Sequence, residues 1–452
     1  MRQFLVDHAE NSIGIRVLGE EGFLEAAFSD KDSNWLKQHS FTGKSGEICF
    51  LQDDSGFVKE VVVGDPKSAW ELGGIVNSLP AGNYKFLDTE YDASITALSW
   101  ALSQYKFNRY LKSKEVQVRR LQVANLPQEL YSFLESAQLV RDMVNTPAAD
   151  LNPVDLSEQA LAIAKKFSAE AVVIVGDMLL EKGFPAIHAV GRAAPQPPRL
   201  VDIEWQMSKT DLPLVILVGK GVCFDTGGLD LKTSAGMLGM KKDMGGAANV
   251  LGLAYCIMQQ ALPIRLKVLL PIVENSIDSN AYRPGDIITM RDGSTVEITN
   301  TDAEGRMILA DALTYGAEFE PDLMLDMATL TGAARVAVGT EISAAFTDDA
   351  KLHNLIIEGA KQWQDPVCFM PLYKPYKKML KTKVADKCNA AKTGYAGAIT
   401  AALFLQDFVK DSIPWVHFDI MAANNQTRAG RPEGGEAMGI RAIFYAIKNN
   451  FC

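Results

Sequence analysis

The clearest hydrophobic pattern in the chain is a set of short apolar segments that recur between amphipathic stretches. Residues 214–218 (Leu-Val-Ile-Leu-Val) are unbroken apolar sequence, as expected of a strand buried on both faces. Residues 266–273, 323–327 and 416–420 read as further core strands. Residues 245–259 have helical spacing, and a β-like segment, 295–299, shortly precedes the apolar run 307–313. Strands that alternate with helices predict a largely parallel sheet with helices on both faces. In such sheets ligands bind beyond the carboxyl ends of the strands.

The N-terminal part is more mixed. Residues 47–51 and 61–63 read as strands and 93–105 as a helix, which gives an α/β module without a cluster of catalytic residue types. Residues 127–144 carry apolar side chains at helical spacing and end at Asn145-Thr146-Pro147, where proline opposes continuation. This segment is read as a connecting helix. Neither repeats nor low-complexity tracts interrupt the pattern.

Composition narrows the function classes. A chain of 452 residues is long for one core, so two domains are expected. A hydrophobic share of 48% and a charged share of 22% are those of a soluble globular protein. The net charge of -10 opposes whole-protein attraction to nucleic acid or acidic membranes, while a local basic patch stays open. No apolar run reaches the roughly 18 residues of a membrane span. Residues 1–8 do not begin a secretory signal. The six cysteines are scattered without a Cys-x-x-Cys pair, which points to reduced thiols in the cytoplasm. The five histidines are far apart, which argues against a His-rich zinc site.

Three segments place charge at predicted strand ends. They are Gly219 to Lys232, Met240 to Ala248, and Asn300-Thr301-Asp302-Ala303-Glu304-Gly305-Arg306. Together they offer Asp225, Asp243, Asp302 and Glu304 against Lys220, Lys232 and Arg306. Converging carboxylates repel, and divalent cations relieve that repulsion. Four carboxylates are enough to bridge two ions, about 3.5–4 Å apart in two-metal hydrolases. Each piece alone has a plainer reading. Lys220 could be a surface lysine, and Asp225 and Asp243 turn residues. Asp302 could cap the next helix, and Arg306 could pair with Glu304. A phosphate loop is excluded, because Gly-x-x-x-x-Gly-Lys-[Ser/Thr] is absent. The specific signal is the combination.

The segment Asn300 to Arg306 is similar to the hallmark of the leucyl aminopeptidase (cytosol aminopeptidase) family of di-metal exopeptidases. Val218-Gly219-Lys220-Gly221, Phe224 to Gly228, Asp243 to Ala248, Asn280 to Asp286 and Ala328 to Ala333 resemble further family segments, in family order. The resemblance covers residues 140–450. It implies an α/β fold with a smaller N-terminal α/β domain (1–126) and a connecting helix (127–145). A larger catalytic α/β/α domain (146–452) with a mostly parallel central sheet would follow.

The resemblance also implies roles. Asp225 and Glu304 would bridge two divalent ions, Zn or Mn. Lys220, as the neutral amine, and Asp243 would complete the tighter site, and Asp302 the more exchangeable one. Lys232 would polarise the scissile carbonyl and stabilise a gem-diolate formed by attack of the metal-bridged water. Arg306 would hold a bicarbonate as general base. Asp243 and a metal would bind the substrate's free α-amine. Met240, Thr329, Leu330 and Gly332 would line the pocket for the N-terminal side chain and hold the peptide backbone. The implied protein is a cytoplasmic homohexamer, a dimer of trimers, acting on peptides with large apolar N-terminal residues such as Leu. One departure stands out: residues 422–436, after the last core strand where the specificity pocket closes, are more polar than the family leads one to expect. The alternatives are a hexameric scaffold or DNA-binding regulatory protein on the same fold, and a specialised dipeptidase such as one for Cys-Gly.

Overall fold

The computed structural model describes residues 1–87, 89–112 and 117–452. The chain forms two compact units, Met1–Gln138 with Gln426–Glu433, and Leu139–Asn425 with Gly434–Cys452.

The first unit is built on a six-stranded sheet. Its strands are β1 (Leu5–Val6), β2 (Ile13–Leu18), β3 (Ile48–Gln52), β4 (Val58–Gly64), β5 (Gly82–Leu87) and β6 (Arg119–Gln122), in the order β1-β6-β5-β2-β4-β3. All neighbours are parallel except β3 and β4. Val61, Val62 and Val63 are buried, so β4 is covered on both faces. Helix α1 (Ala93–Ser103) starts where the Asp92 side chain accepts from Ile95 N–H. Its buried Trp100 ring lies 5.8 Å from that of Tyr84 on β5. Gln426–Glu433 joins this unit late in the chain. Trp70 Nε1 donates to the Ala429 carbonyl at 2.6 Å, and Gly430 N–H donates to Ser103 Oγ at 2.7 Å.

Helix α2 (Gln128–Asn145) ends two residues before Pro147. The second unit carries β7 (Glu170–Val175), β8 (Arg199–Trp205), β9 (Leu214–Gly219), β10 (Gly221–Asp225) and β11 (Arg265–Asn275). Then come β12 (Ile287–Thr289), β13 (Thr295–Glu297), β14 (Leu323–Ala328), β15 (Ser343–Phe346), β16 (Val367–Phe369), β17 (Lys387–Cys388) and β18 (Trp415–Asp419). The nine-stranded central sheet runs β16-β15-β18-β14-β9-β11-β8-β7, with β10 beside β11. Its middle, β18-β14-β9-β11, is parallel. Three pairings outside that middle are antiparallel: β15 with β18, β11 with β8, and β8 with β7.

Helices α3 (Pro185–Gly191), α4 (Gly245–Gln259) and α5 (Glu304–Ala317) flank the sheet. Ile216 and Val218 cluster with Met307, Ile308 and Leu309 of α5. Residue 219 points to the other face, where glycine is required: a Cβ there would lie 2.7 Å from Ala247 Cα of α4. The sheet is thus covered on both faces, as the apolar runs predict. The 295–299 segment forms only the short β13, in a side sheet with β12 and β17. Thr299 and Asn300 leave the ladder because their N–H groups donate to Asn389 Oδ1.

Candidate metal centre

The charged segments meet at the carboxyl ends of the parallel strands. Lys220 follows β9, Asp225 ends β10, and Asp243 lies in the tight turn Met240–Met244 that leads into α4. Glu304 is the first residue of α5 and Asp302 lies just before it. Ala303 takes the cap position of α5, so Asp302 is not a helix cap. Lys220 is no surface lysine: its residue is 2% exposed.

Two ammonium groups hold the carboxylates together. Lys220 Nζ lies 2.8 Å from both Asp243 Oδ2 and Glu304 Oε1, and donates to the Thr329 carbonyl at 3.1 Å. The two carboxylate contacts lack hydrogen-bond geometry, and both oxygens are buried without another partner. Lys232 Nζ lies 2.8 Å from Asp225 Oδ2 and also contacts Asp302 Oδ1. Asp225, Asp302 and Glu304 each offer an oxygen within 4.8 Å of the others. Carboxylate oxygens gathered this closely, with the buried Glu304 Oε1 and the neighbouring Asp243 Oδ2 lacking hydrogen-bond partners, fit divalent cations bound through oxygen.

The electrostatics follow from this crowding. Burial and then the Asp225 charge push the Glu304 carboxyl up to about 8, against the pull of Lys220. Burial and Asp225 likewise push Asp302 up to about 6. For Lys220, burial acts to lower the pKa, but Asp243, Glu304 and Asp225 together raise it above the ordinary lysine value. Lys232 is also raised, by Asp225 and Asp302. Deprotonating Lys220 therefore requires that other positive charge take over its carboxylates.

Arg306 is 7% exposed. Burial pulls its guanidinium down to about 10, so it stays charged at neutral pH. Its Nη1 donates to the Asn389 carbonyl at 2.7 Å, and its Nε is buried without a partner. No ion pair with Glu304 is formed among the described residues. Thr329 is buried, and its hydroxyl lies 2.8 Å from Asp243 Oδ1. Leu330 N–H donates to Asp419 Oδ1 at 3.0 Å. Gly332 opens helix α6 (Gly332–Val338), and a Cβ there would meet nothing within 4 Å. Met240 is half-buried at the start of the Asp243 turn.

Several supporting residues escape sequence reasoning. Asn275, at the end of β11, donates to Asp225 Oδ1 at 2.8 Å and leaves Oδ2 free for Lys232. Tyr282 donates to the Thr301 carbonyl at 2.6 Å. Asp419 accepts from Leu330 N–H, Thr331 N–H and the Thr331 hydroxyl. Asn389 fixes the chain before Asp302 through Thr299 and Asn300. The available signals were modest: Asn275 and Asp419 both end core strands, where ligand-facing residues are expected.

Known proteins resemble this chain in sequence and fold. Residues 138–444 match the catalytic domain of the cytosol aminopeptidase family, and residues 21–123 match the M17 aminopeptidase N-terminal domain. A probable cytosol aminopeptidase of Synechococcus sp. (strain CC9311) is 33% identical over 454 residues, covering 93% of this chain and 91% of that protein. One from Roseiflexus castenholzii is 39% identical over 320 residues, 69% of this chain and 64% of that protein. The crystal structure of cytosol aminopeptidase from Coxiella burnetii superposes with a TM-score of 0.93 at 43% identity, over 99% of each chain. The bottromycin maturation enzyme BotP in complex with Mn gives 0.86 at 31% identity, over 98% of this chain and 100% of that one. With its catalytic domain matched and its fold shared over nearly the whole length, this chain belongs to the cytosol aminopeptidase family, a family of metal-dependent aminopeptidases.

Proposed function

We propose that this member of the family releases the N-terminal residue of peptides and prefers large apolar residues such as Leu. The observation that carries the reading is the convergence of Asp225, Asp243, Asp302 and Glu304 around the ammonium groups of Lys220 and Lys232. In this reading Asp225 and Glu304 would be shared by two divalent ions, with Lys220 and Asp243 completing a tighter site and Asp302 a more exchangeable one. Zinc and manganese both suit these donors, and the Mn complex of BotP favours manganese. When bound, such ions acidify water and polarise a carbonyl oxygen.

The chain's own residues do the rest. Lys232 aims a positive charge at the carbonyl oxygen and stabilises the negative charge that develops there. Arg306 would hold a bicarbonate, which would supply the chemistry of a general base there. The unpartnered buried Nε of Arg306 supports an anion at this place. Asp243 receives the free α-amine of the substrate, which restricts cleavage to N-termini. Met240, Thr329, Leu330 and Gly332 line the pocket and hold the peptide backbone. The open space beside Gly332 supports that role.

Chelation is expected to abolish hydrolysis of a leucine anilide, and Mn²⁺ or Zn²⁺ to restore it. Absence of hydrolysis of any aminoacyl substrate at full metal occupancy would overturn the reading. A substrate panel that includes Cys-Gly tests the apolar preference. The proposed assembly is a homohexamer, a dimer of trimers; Leu238, Val336 and Tyr395 are each more than 80% exposed, which supports burial against further copies. Light scattering checks the mass. A cytoplasmic location accords with six free cysteines.

A further inference from the structure

Thr301 is fully buried between the segments that carry Lys232 and Asp302, and each of its polar atoms has a partner. Its carbonyl accepts from the Tyr282 hydroxyl at 2.6 Å and from Asn275 Nδ2 at 3.1 Å, which fixes it to the end of β11. Its N–H donates to Asp230 Oδ2 at 2.7 Å. Its hydroxyl donates to the Gly227 carbonyl at 2.6 Å and accepts from the Asp230 N–H at 2.8 Å. Gly227 and Asp230 belong to the short loop that joins Asp225 to Lys232. That loop closes on itself, because Lys232 N–H donates to the Thr226 carbonyl at 2.9 Å. A Cβ on Gly228 would lie 3.0 Å from both the Thr301 hydroxyl and Asn275 Oδ1, so the loop packs directly against Thr301.

The Lys232 ammonium itself is held by charge, at 2.8 Å from Asp225 Oδ2 and in contact with Asp302 Oδ1. In the aminopeptidase reading both carboxylates serve divalent ions, which compete with the ammonium for the same oxygens. The place of Lys232 then has to come from its backbone. We propose that Thr301 is the positioning residue for Lys232: with Asp230 it clasps the loop to the metal-binding segment and keeps the ammonium in place when ions take its carboxylates. This rests on the aminopeptidase reading and on the role of Lys232 in it. The clasp is made by a hydroxyl and backbone groups, and only Asp230 in it carries charge. Asp302 keeps anchors of its own, since its N–H donates to Asn300 Oδ1 at 2.8 Å. Thr301→Val keeps the side-chain shape and the carbonyl bonds, but leaves the Gly227 carbonyl and the Asp230 N–H without their partner.

The test compares Thr301→Val, Thr301→Ser and Asp230→Ala with the natural metal-loaded protein on leucine anilide. Thr301→Val is expected to lower kcat about 10- to 100-fold, as a misplaced catalytic group does, with KM changed less than about threefold. Thr301→Ser keeps the hydroxyl and should recover most of that loss. Asp230 is exposed, so Asp230→Ala leaves the buried residue in place and supplies the reading where Thr301→Val does not fold. Its kcat should fall by about threefold or more. Each loss should vanish in a Lys232→Ala background, where adding either substitution changes kcat by less than about twofold. Metal affinity, measured by competition with a chelator, should stay within about threefold of the natural value. A loss of about 10- to 100-fold in affinity would assign Thr301 to a metal ligand instead and overturn the proposal. Unchanged kcat in Thr301→Val or Asp230→Ala, or a loss that persists in full without Lys232, would also overturn it and leave the aminopeptidase reading standing. No anilide hydrolysis by the natural protein at full metal occupancy would overturn both.

Discussion

A Cβ on Gly305 would lie 2.8 Å from Cδ, Cε and Nζ of Lys220, so the lysine occupies space that only glycine leaves open in the first turn of α5. Gly305→Ala sets two effects against each other. Alanine favours the helix by about 1 kcal/mol. The added methyl, however, displaces an ammonium held by Asp243, Glu304 and the Thr329 carbonyl. Displacement should win, because Lys220 is buried and has few other places to go. Metal affinity is expected to fall by about 10- to 100-fold, measured by competition with a chelator. Unchanged affinity with raised stability would show that Lys220 can move at no cost.

Substitutions in the carboxylate cluster should separate metal binding from turnover. Asp302→Asn and Glu304→Gln are expected to lose metal and activity together. Lys232→Ala removes an ammonium that contacts Asp225 and Asp302. It should keep its metal and lose turnover by about 100- to 1000-fold. Loss of metal from Lys232→Ala, seen by elemental analysis, would make Lys232 a structural residue instead.

Asp419 ties the end of β18 to the loop after β14 through three hydrogen bonds, two to backbone N–H groups. Asp419→Asn puts an amide where the loop needs an acceptor. A cost of about 1.5–3 kcal/mol is expected. Because Leu330 moves with this loop, KM for a leucine substrate should rise more than kcat falls. Equal loss in both, by steady-state kinetics, would place the effect at the metal centre.

The pH dependence of stability has a separate source in Asp311. Burial pushes its carboxyl up to about 7, although the N–H groups of Ala186, Ile187 and Arg291 donate to it. Its unfolded value is about 3.9. The folded protein therefore holds this proton more tightly than the unfolded chain does. The associated stability is full below about pH 4 and is lost as pH rises through about 7. Asp311→Asn has no such titration. The stability advantage of the natural residue over asparagine should shrink by roughly 3 to 4 kcal/mol between pH 4 and pH 8. Denaturant unfolding at fixed pH values checks this, and a gap that widens with pH would contradict it.

The parallel middle of the sheet was legible because β9 is an apolar run and β14 and β18 are mostly apolar, all three buried along their full length. The antiparallel β8 was not, because it carries Asp202 and Glu204, which look like surface residues in sequence. Both instead pair with the buried Lys267 of β11, at 2.8 and 2.5 Å. Lys220, Glu304 and Arg306 sit directly beside glycines, and Asp225 and Asp243 two residues from one; that local context, with Asp302 in the same short segment as Glu304, made the centre readable. Asn389 had no such context: it reaches Arg306 across 83 positions through one backbone carbonyl. Lys242 was equally silent, since a Lys-Lys pair reads as solvated surface and only the packing shows that one of the two is buried.

The return of Gln426–Glu433 to the first unit makes synthesis and completion run in opposite orders. The N-terminal unit leaves the ribosome first. Yet Trp70 cannot find the Ala429 carbonyl, nor Ser103 the Gly430 N–H, until nearly the whole chain has been made. A fragment cut at Gln138 would expose the flat face of Trp70, which the close approach of Gly430 now covers at 2.5 Å from an added Cβ. The first unit is thus closed by Gln426–Glu433, a segment that lies after most of the second unit in sequence, and changing Ala429 or Gly430 would be felt at Trp70 and Ser103.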